Sequence, residues 1–261
     1  MKLKANNYHT HLIQDTKRTK TLQKAITTTT KTNKNNLAIE LGAGSGILTI
    51  HTSKHYKQVI GIENNPQILP YLKENTKPYK NITIKNTDAT KYKYTKTPDL
   101  IICEMLDTAL IDEEQAQTIN NIPEQIKQNT TLIPTGIINQ IQPIHMKNNH
   151  IVYEDTDYKP KHKIIGETTT YQKINFKKQI QTDFNQTIKL KITKNATLNG
   201  IKITTKTLLT EKLTLPPTPM LNPPLLIPLN KEEKVTQNTT KKIKLTYKMG
   251  YGLETIKTQI L

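Results

Sequence analysis

The sequence is short of several residue types, and each shortage excludes a class of protein. It has 261 residues and a single cysteine, Cys103, which excludes an internal disulfide framework and a cysteine-based zinc site. Tryptophan is absent, and apolar residues make up 34% of the chain, a low share for a globular protein. No run of about 18 apolar residues exists, so the sequence predicts no membrane-spanning helix. The start, MKLKANNYHT, lacks the apolar segment of a signal peptide. We therefore expect a cytoplasmic protein with no membrane partner and no bound metal.

Negative charge is also scarce. Lysine and arginine number 38 against 21 acidic residues, a formal net charge of +17. That charge fits a nucleic-acid or other acidic partner, but the bias toward Lys, Thr, Asn and Ile is also typical of an A/T-rich genome. Only one basic residue is an arginine, Arg18. In a chain that otherwise uses lysine, it indicates a place that needs a planar, bidentate donor.

A glycine-rich segment near residue 40 predicts a nucleotide site. The apolar run LAI leads to Glu40, and three glycines follow at alternate positions, Gly42, Gly44 and Gly46. An amphipathic segment and a second apolar run then end at Glu63, about 20 residues past the first glycine. Strand, tight turn, helix and carboxylate-tipped strand form the nucleotide-binding half of a doubly wound α/β domain. Glu63 can accept hydrogen bonds from both ribose hydroxyls, so we expect an adenosine-containing cofactor.

The pattern changes at about residue 140. Before it, strands alternate with helices; after it, apolar and polar residues alternate with period two, which predicts antiparallel β-structure with one buried face. We therefore divide the chain into an α/β domain, 1–140, and a β-rich substrate domain, 141–261. Prolines gathered between 216 and 228 predict an extended loop or sheet edge there. The predicted helices are 8–26, 45–55, 66–76 and 112–128, and the predicted strands of the first domain are 37–41, 58–63, 81–86, 99–104 and 131–141.

The E-x-G-x-G-x-G spacing resembles that of the class I methyltransferases, which bind S-adenosylmethionine. This resemblance implies that cofactor and a Rossmann-like sheet. Glu40 and the glycine loop would hold the methionine and the sulfonium, Glu63 the ribose, and Asp88 the adenine amino group. The fourth strand would deliver Glu104 beside the methyl group. The full set of predicted cofactor-binding residues is His9, Arg18, Glu40, Gly42, Ala43, Gly44, Gly46, Glu63, Asn64, Asp88 and Ala89.

Two further motifs resemble the protein arginine methyltransferases. Glu104 and Glu113 have the spacing of that family's two-glutamate loop, and HTHLIQDTKRT matches its first motif, H-x-x-M-L-x-D-x-x-R-T. The resemblance implies that Glu104 and Glu113 are catalytic and orient a guanidinium. It also implies that Arg18 binds the methionine carboxylate, that His9 lies near the cofactor, and that a β-barrel-like domain follows the methyltransferase sheet.

The substrate side departs from that family. Its Thr-His-Trp loop is replaced by Met220, Leu221 and Asn222, and the segment EMLDTAL lacks its Gly-Tyr step. Our leading hypothesis is methyl transfer to a nitrogen of a macromolecule, a protein arginine first. An RNA methyltransferase on the same scaffold and a catalytically inactive binding module stay as alternatives. The oligomeric state is open, with a homodimer as one option, and the spacing leaves open whether Glu113 or Glu114 faces the site.

Overall fold

The computed structural model describes residues 3–30, 35–155 and 157–261. The chain starts with two helices, α1 (Asn7–Gln14) and α2 (Thr16–Thr29), where the sequence predicted one over 8–26. The break falls at Asp15, whose side chain accepts a hydrogen bond from the Arg18 N–H at 3.0 Å and so caps α2. Helix α2 runs to Thr29, three residues past the predicted end at residue 26, and residues 31–34 lie outside the described residues.

A parallel five-stranded sheet follows, in the order β3-β2-β1-β4-β5. Its strands are β1 (Leu37–Leu41), β2 (Gln58–Glu63), β3 (Ile82–Asn86), β4 (Leu100–Cys103) and β5 (Thr131–Ile133). Its helices are α3 (Ile47–Ser53), α4 (Leu69–Thr76), α5 (Gln115–Asn121) and α6 (Glu124–Asn129). The single helix predicted over 112–128 is two helices, because Pro123 forces the preceding Ile122 out of helical geometry, to φ −72° and ψ 120°.

The strand order places a crevice above β1 and β4. Strands β1 and β4 are buried along their whole length, as expected of central strands covered on both faces. The chain winds one way from β1 to β3 and the other way from β4 to β5. Ligands of open α/β sheets bind at this switch point, beyond the carboxyl ends of the strands.

The strand predicted over 131–141 is wrong as one element. Strand β5 ends at Ile133 in the parallel sheet, and β6 (Gly136–Met146) belongs to an antiparallel sheet. Pro134 stands between them and has no N–H with which to continue a ladder. The change of pairing therefore falls at 134–135, while the domain division at 140 stays a prediction.

Two antiparallel sheets make up the rest. One follows the path β7-β13-β11-β6-β8, with β12 paired to β11 and β9 to β6; the other is β10-β14-β15. The strands are β7 (Val152–Tyr153), β8 (His162–Ile164), β9 (Thr169–Asn175), β10 (Asp183–Lys191), β11 (Ala196–Thr210), β12 (Leu213–Leu215), β13 (Leu225–Val235), β14 (Thr240–Lys248) and β15 (Lys257–Ile260). The predicted fold class, a doubly wound α/β sheet followed by antiparallel β-structure, is confirmed. Closure into a barrel stays a prediction.

The proline-rich stretch is only partly a loop. Its end, including Pro228, lies in β13, which pairs with β11 on one side and with β7 on the other only at Leu225 and Leu226. Pro228 is tolerated there because it faces Gly200, beside a bulge in the β11–β13 pairing. Within the described residues, no helix is both long enough and apolar enough to cross a membrane.

Candidate active site

A cavity of about 280 Å³ opens at the carboxyl edge of the parallel sheet, between α1 and the loops after β1, β2, β3 and β4. Every predicted site residue except Gly46 lines it. Those lining residues are His9, Arg18, Glu40, Gly42, Ala43, Gly44, Glu63, Asn64, Asp88, Ala89, Glu104 and Glu113. Residues far apart in the chain are thus brought to one place, although their individual roles stay predictions.

The glycine loop is built as the spacing predicts. Gly42, Gly44 and Gly46 all have positive φ, at 73°, 53° and 85°, a region that side chains with a Cβ rarely adopt. A Cβ on Gly44 would lie 3.1 Å from the His9 ring, in the cavity. Gly46 serves packing instead, because a Cβ there would lie 2.8 Å from Leu72 of α4. Gly44 therefore leaves space in the cavity, whereas Gly46 allows close packing against α4.

Glu63 ties the end of β2 to the glycine loop. Its Oε2 accepts a hydrogen bond from the Gly44 N–H at 2.9 Å, and its Oε1 accepts from Asn64 at 3.0 Å and Asn65 at 2.8 Å. A carboxylate offers about four lone-pair sites. Glu63 is therefore oriented by backbone and keeps acceptor capacity toward the cavity, where its predicted ribose contact would form.

Glu40 lies buried at the floor of the cavity. Burial raises its pKa to about 8, and the Thr49 hydroxyl, which donates a hydrogen bond to it, opposes that shift. A carboxyl with this pKa is largely protonated at neutral pH and would ionise when a cation binds beside it.

Arg18 and Glu104 form a buried ion pair, with 6% and 8% of their side chains exposed. Burial lowers the pKa of Arg18 to about 10, which leaves the guanidinium charged at neutral pH. Its Nη1 also lies 3.4 Å from the Leu12 carbonyl oxygen. Its Nε–H is buried and has no hydrogen-bond partner among the described residues. The guanidinium thus binds Glu104 on one side and keeps a free donor on the other.

Asp107 organises the loop from Glu104 to Glu113, and sequence reasoning missed it. Its carboxylate accepts backbone hydrogen bonds from Ile111 at 3.0 Å, Asp112 at 2.9 Å and Glu113 at 3.4 Å, and one from the Tyr153 hydroxyl at 3.4 Å. Burial raises its pKa to about 7. The available signal was a second acidic residue three positions after Glu104 in the segment EMLDTAL, which is where the sequence departs from the family's Gly-Tyr step.

The same loop is held under strain by the antiparallel sheets. Ala109 and Leu110 are buried and both have φ of 60°, which costs about 1–2 kcal/mol for a residue with a Cβ. The Ala109 N–H donates to the Thr205 hydroxyl at 2.8 Å, and the Thr108 hydroxyl donates to the Pro223 carbonyl at 2.6 Å. Strained backbone that its surroundings hold in place is common at functional sites.

Glu113 and Glu114, the two residues that the spacing left open, both line the cavity at its exposed rim. Partial desolvation by the cavity wall, followed by the nearby charges of Asp112 and Glu114, raises the pKa of Glu113. Met220 lines the cavity as well, and its N–H donates to Asp15 at 3.2 Å. The segment that replaces the Thr-His-Trp loop therefore does lie at the site.

Asp88 and His9 have local partners in addition to the cavity. Asp88 caps a short 3₁₀ turn, accepting from the Thr90 N–H at 2.8 Å and its hydroxyl at 2.6 Å, and these bonds lower its pKa. The His9 ring lies 2.9 Å from the Asn6 side-chain oxygen, and burial lowers its pKa. Further lining residues that sequence reasoning did not name are Tyr8, Ser45, Ile47, Leu48, Ile62, Asn65, Ile68, Thr87, Met105 and Leu106.

Comparison with known proteins identifies the class. A family model described as a methyltransferase domain matches residues 38–129, which carry the glycine loop, Glu63 and Glu104. The chain belongs to the class I S-adenosylmethionine-dependent methyltransferases. An uncharacterised protein of Methanothermobacter thermautotrophicus is 33% identical over 261 residues, which is 100% of both chains. Another, from Methanocaldococcus jannaschii, is 36% identical over 264 residues and is covered to 99%.

Two other similarities are to proteins of other organisms. The ribosomal RNA small subunit methyltransferase A of Macrococcus caseolyticus is 28% identical over 145 residues. The aligned part is 56% of the present chain and 44% of the Macrococcus protein. A solved structure of a Trypanosoma brucei PRMT1 enzyme–prozyme heterotetramer with AdoHcy aligns with a TM-score of 0.74. The alignment covers 92% of the present chain and 87% of the Trypanosoma chain at 13% sequence identity, so the similarity is one of fold.

The cavity fits S-adenosylmethionine, the cofactor of this class. The buried, unpartnered Nε–H of Arg18 is a donor suited to a carboxylate. The absent Cβ of Gly44 leaves room beside His9, where the ligand can approach backbone. Glu40, Glu63 and Asp88 place carboxyl oxygens at the same edge of the sheet, and amino and hydroxyl groups such as those of the cofactor need acceptors of this kind.

Proposed function

We propose that this methyltransferase transfers the methyl group to a nitrogen of a macromolecular substrate, and that the substrate group is a protein arginine. The observation that carries the proposal is the buried carboxylate of Glu104, which pairs with a guanidinium, that of Arg18, at the cavity. Glu113 lies at the rim of the same cavity. Two carboxylates at a methyl-donor site suit a planar cation that donates bidentate hydrogen bonds.

On the cofactor side, the residues would bind and orient. Arg18 would direct its free Nε–H at the methionine carboxylate, and Glu40 would face the ammonium group. Glu63, held by three backbone N–H groups, would accept from the ribose, and Asp88 from the adenine amino group. Bound S-adenosylmethionine supplies a methyl group on a positively charged sulfur, which needs no further activation.

On the substrate side, Glu104 and Glu113 would hold the guanidinium and aim one nitrogen along the line of displacement. Because the leaving group is already activated, positioning and electrostatics would supply most of the rate. Burial raises the pKa of Glu113, so the rate should rise with pH as this carboxylate ionises. A bound guanidinium would favour the ionised form and lower that pKa.

RNA is the second candidate substrate. The partial similarity to ribosomal RNA methyltransferase A favours it, as does Met220 in place of the Thr-His-Trp loop. Against it, the amino-methylating base enzymes carry an N/D-P-P-Y/F step after the fourth strand, where this chain has Glu104-Met-Leu-Asp107.

The test is methyl transfer from radiolabelled S-adenosylmethionine into a lysate of the source cell, divided between protease and ribonuclease digestion. The proposal expects label that protease removes and that hydrolysis yields as methylarginine. Label removed by ribonuclease would refute the arginine assignment and favour RNA. No label, with cofactor affinity intact, would favour the inactive binding module.

Matched variants test the two carboxylates. Glu104→Gln and Glu113→Gln should each reduce transfer by at least about 100-fold while the folded protein still binds the cofactor. Because Glu104→Gln also leaves the buried Arg18 without its charged partner, its unfolding curve is measured alongside its activity. Glu114→Gln, beside Glu113 at the same rim, is the control and should retain most of the activity. Loss with Glu114→Gln and full activity with Glu113→Gln would reverse their assignment.

A further inference from the structure

The solvent face of the β10-β14-β15 sheet is a surface of lysines. Phe184, Ile188, Ile243 and Leu245 are buried on the inner face of this sheet. The outward positions alternate with them, and they are exposed except for Thr246 and Lys248, which are half-buried. The register places Thr187 opposite Lys244, Lys189 opposite Lys242 and Thr246 opposite Lys257. We call the outward residues Lys189, Lys191, Lys242, Lys244, Lys248 and Lys257 the lysine face.

Acidic partners are scarce on this face. Asp183 is the acidic residue among its outward strand positions, at the end opposite Lys248. Lys191 pairs with Glu167 at 2.7 Å. In the parts of the chain that the structure describes, the other ion pairs involve none of Lys189, Lys242, Lys244 or Lys257. Their charge is available to a partner.

The arrangement is unfavourable for the isolated fold. Lys189 and Lys242 are directly opposite on neighbouring strands, and like charges in that position destabilise a sheet. An A/T-rich codon bias would distribute lysine evenly but would not keep carboxylates off one face. A polyanion bound across the face would remove the repulsion.

The lysine face leads to the active-site loop. Strand β14 extends about 27 Å, and at its end the Gly250 N–H donates to the Leu110 carbonyl at 2.8 Å and the Tyr251 N–H to the Ile111 carbonyl at 3.1 Å. Tyr251 is 52% exposed, and the Lys248 Nζ lies 4.1 Å from its ring centroid. An exposed aromatic ring thus lies where the face meets the loop that carries Glu113.

We propose that the lysine face and Tyr251 form a binding track for single-stranded nucleic acid, leading toward the methyl-transfer site. Lysines would follow the phosphates, and Tyr251 would stack on a base, the combination that single-strand binding proteins use. An acidic protein would use the lysines but has no bases for the ring. The track is independent of which group is methylated, because an RNA substrate or a protein bound to RNA would both use it.

Fluorescence anisotropy with fluorescein-labelled single-stranded RNA and DNA of mixed sequence, without cofactor, tests the track. The triple variant Lys189→Gln, Lys242→Gln, Lys244→Gln should bind weakly and show a salt slope smaller by about 2, because each phosphate left without its lysine reduces the slope by about 0.7. The control is Lys57→Gln, Lys77→Gln, Lys80→Gln, which removes the same charge from exposed positions of the parallel-sheet domain.

A second comparison isolates stacking. Tyr251→Leu should weaken nucleic-acid binding about tenfold, while Tyr158→Leu, at a tyrosine that is 46% exposed, should not. An equal loss of nucleic-acid affinity in the two triple lysine variants would overturn the proposal. A wild-type protein that binds neither nucleic acid would overturn it as well. Binding of poly-glutamate in preference to both nucleic acids would assign the face to an acidic protein instead. The ratio of the affinities for RNA and DNA identifies which nucleic acid the track binds. Because the assay measures binding without cofactor, its result is independent of methyl transfer.

Discussion

Replacement of Arg18 by methionine separates two functions of one buried guanidinium. Methionine keeps much of the apolar stem but removes every donor. If the Nε–H binds the methionine carboxylate, one charge-assisted hydrogen bond is lost, about 1.5–3 kcal/mol. The dissociation constant for S-adenosylmethionine should therefore rise about 10- to 150-fold.

The same substitution leaves Glu104 buried and unpaired, because 8% of its side chain is exposed and Arg18 is its partner. Breaking a buried pair on one side typically destabilises a fold by about 3–5 kcal/mol. The double variant Arg18→Met, Glu104→Gln removes both charges together. It should recover most of the stability and none of the cofactor affinity.

Isothermal titration with S-adenosylmethionine and urea unfolding measure the two effects separately. Lys20→Met, exposed on the same helix, is the control and should change neither. The reasoning is wrong if folded Arg18→Met binds the cofactor as tightly as the wild type. It is also wrong if the double variant recovers affinity together with stability.

Three further predictions concern the cavity and the loop from Glu104 to Glu113 beside it. Gly44→Ala should lose cofactor affinity and about 1–2 kcal/mol of stability, because φ is +53° and the new Cβ lies 3.1 Å from the His9 ring. Titration and unfolding curves identical to those of the wild type would contradict this. Glu63→Gln should weaken binding of S-adenosylmethionine at least tenfold, as measured by titration. Unchanged affinity would refute the proposed contact between Glu63 and the ribose. Burial raises the pKa of Asp107 from 3.8 to about 7, so the folded state holds this proton more tightly and the free energy of unfolding should fall as pH rises between those values. In Asp107→Asn, the free energy of unfolding measured with urea should depend less on pH over the same range. A pH dependence parallel to that of the wild type would exclude Asp107 as the group responsible.

The parallel-sheet half could be predicted because its signals are local. Three glycines at alternate positions, Gly42, Gly44 and Gly46, indicate backbone with positive φ. Glu63 follows the first of them at the spacing typical of a ribose-binding carboxylate. Boundaries were less certain where one residue interrupts a periodic pattern. Asp15 splits the first helix by capping the second, and Pro134 turns one predicted strand into two strands of different sheets.

The substrate half of the site depended on contacts that periodicity does not encode. Asp107 was overlooked because its partners include Tyr153, 46 residues away. The ion pair between Arg18 and Glu104 joins residues 86 apart. Sequence reasoning named both members of that pair but gave them separate tasks, whereas the structure makes them neighbours.

By itself, the sequence determined the class of protein, its cofactor and the strands whose ends carry the site, because glycine conformation and strand periodicity are properties of adjacent residues. Tertiary structure decided which side chains share the cavity and which lysines share a face. Met220 meets Asp15 across 205 residues, and Lys189 meets Lys242 only through the register of β10 with β14. Such pairings follow from packing the whole chain around one core, since the energy that selects them is summed over all of its contacts.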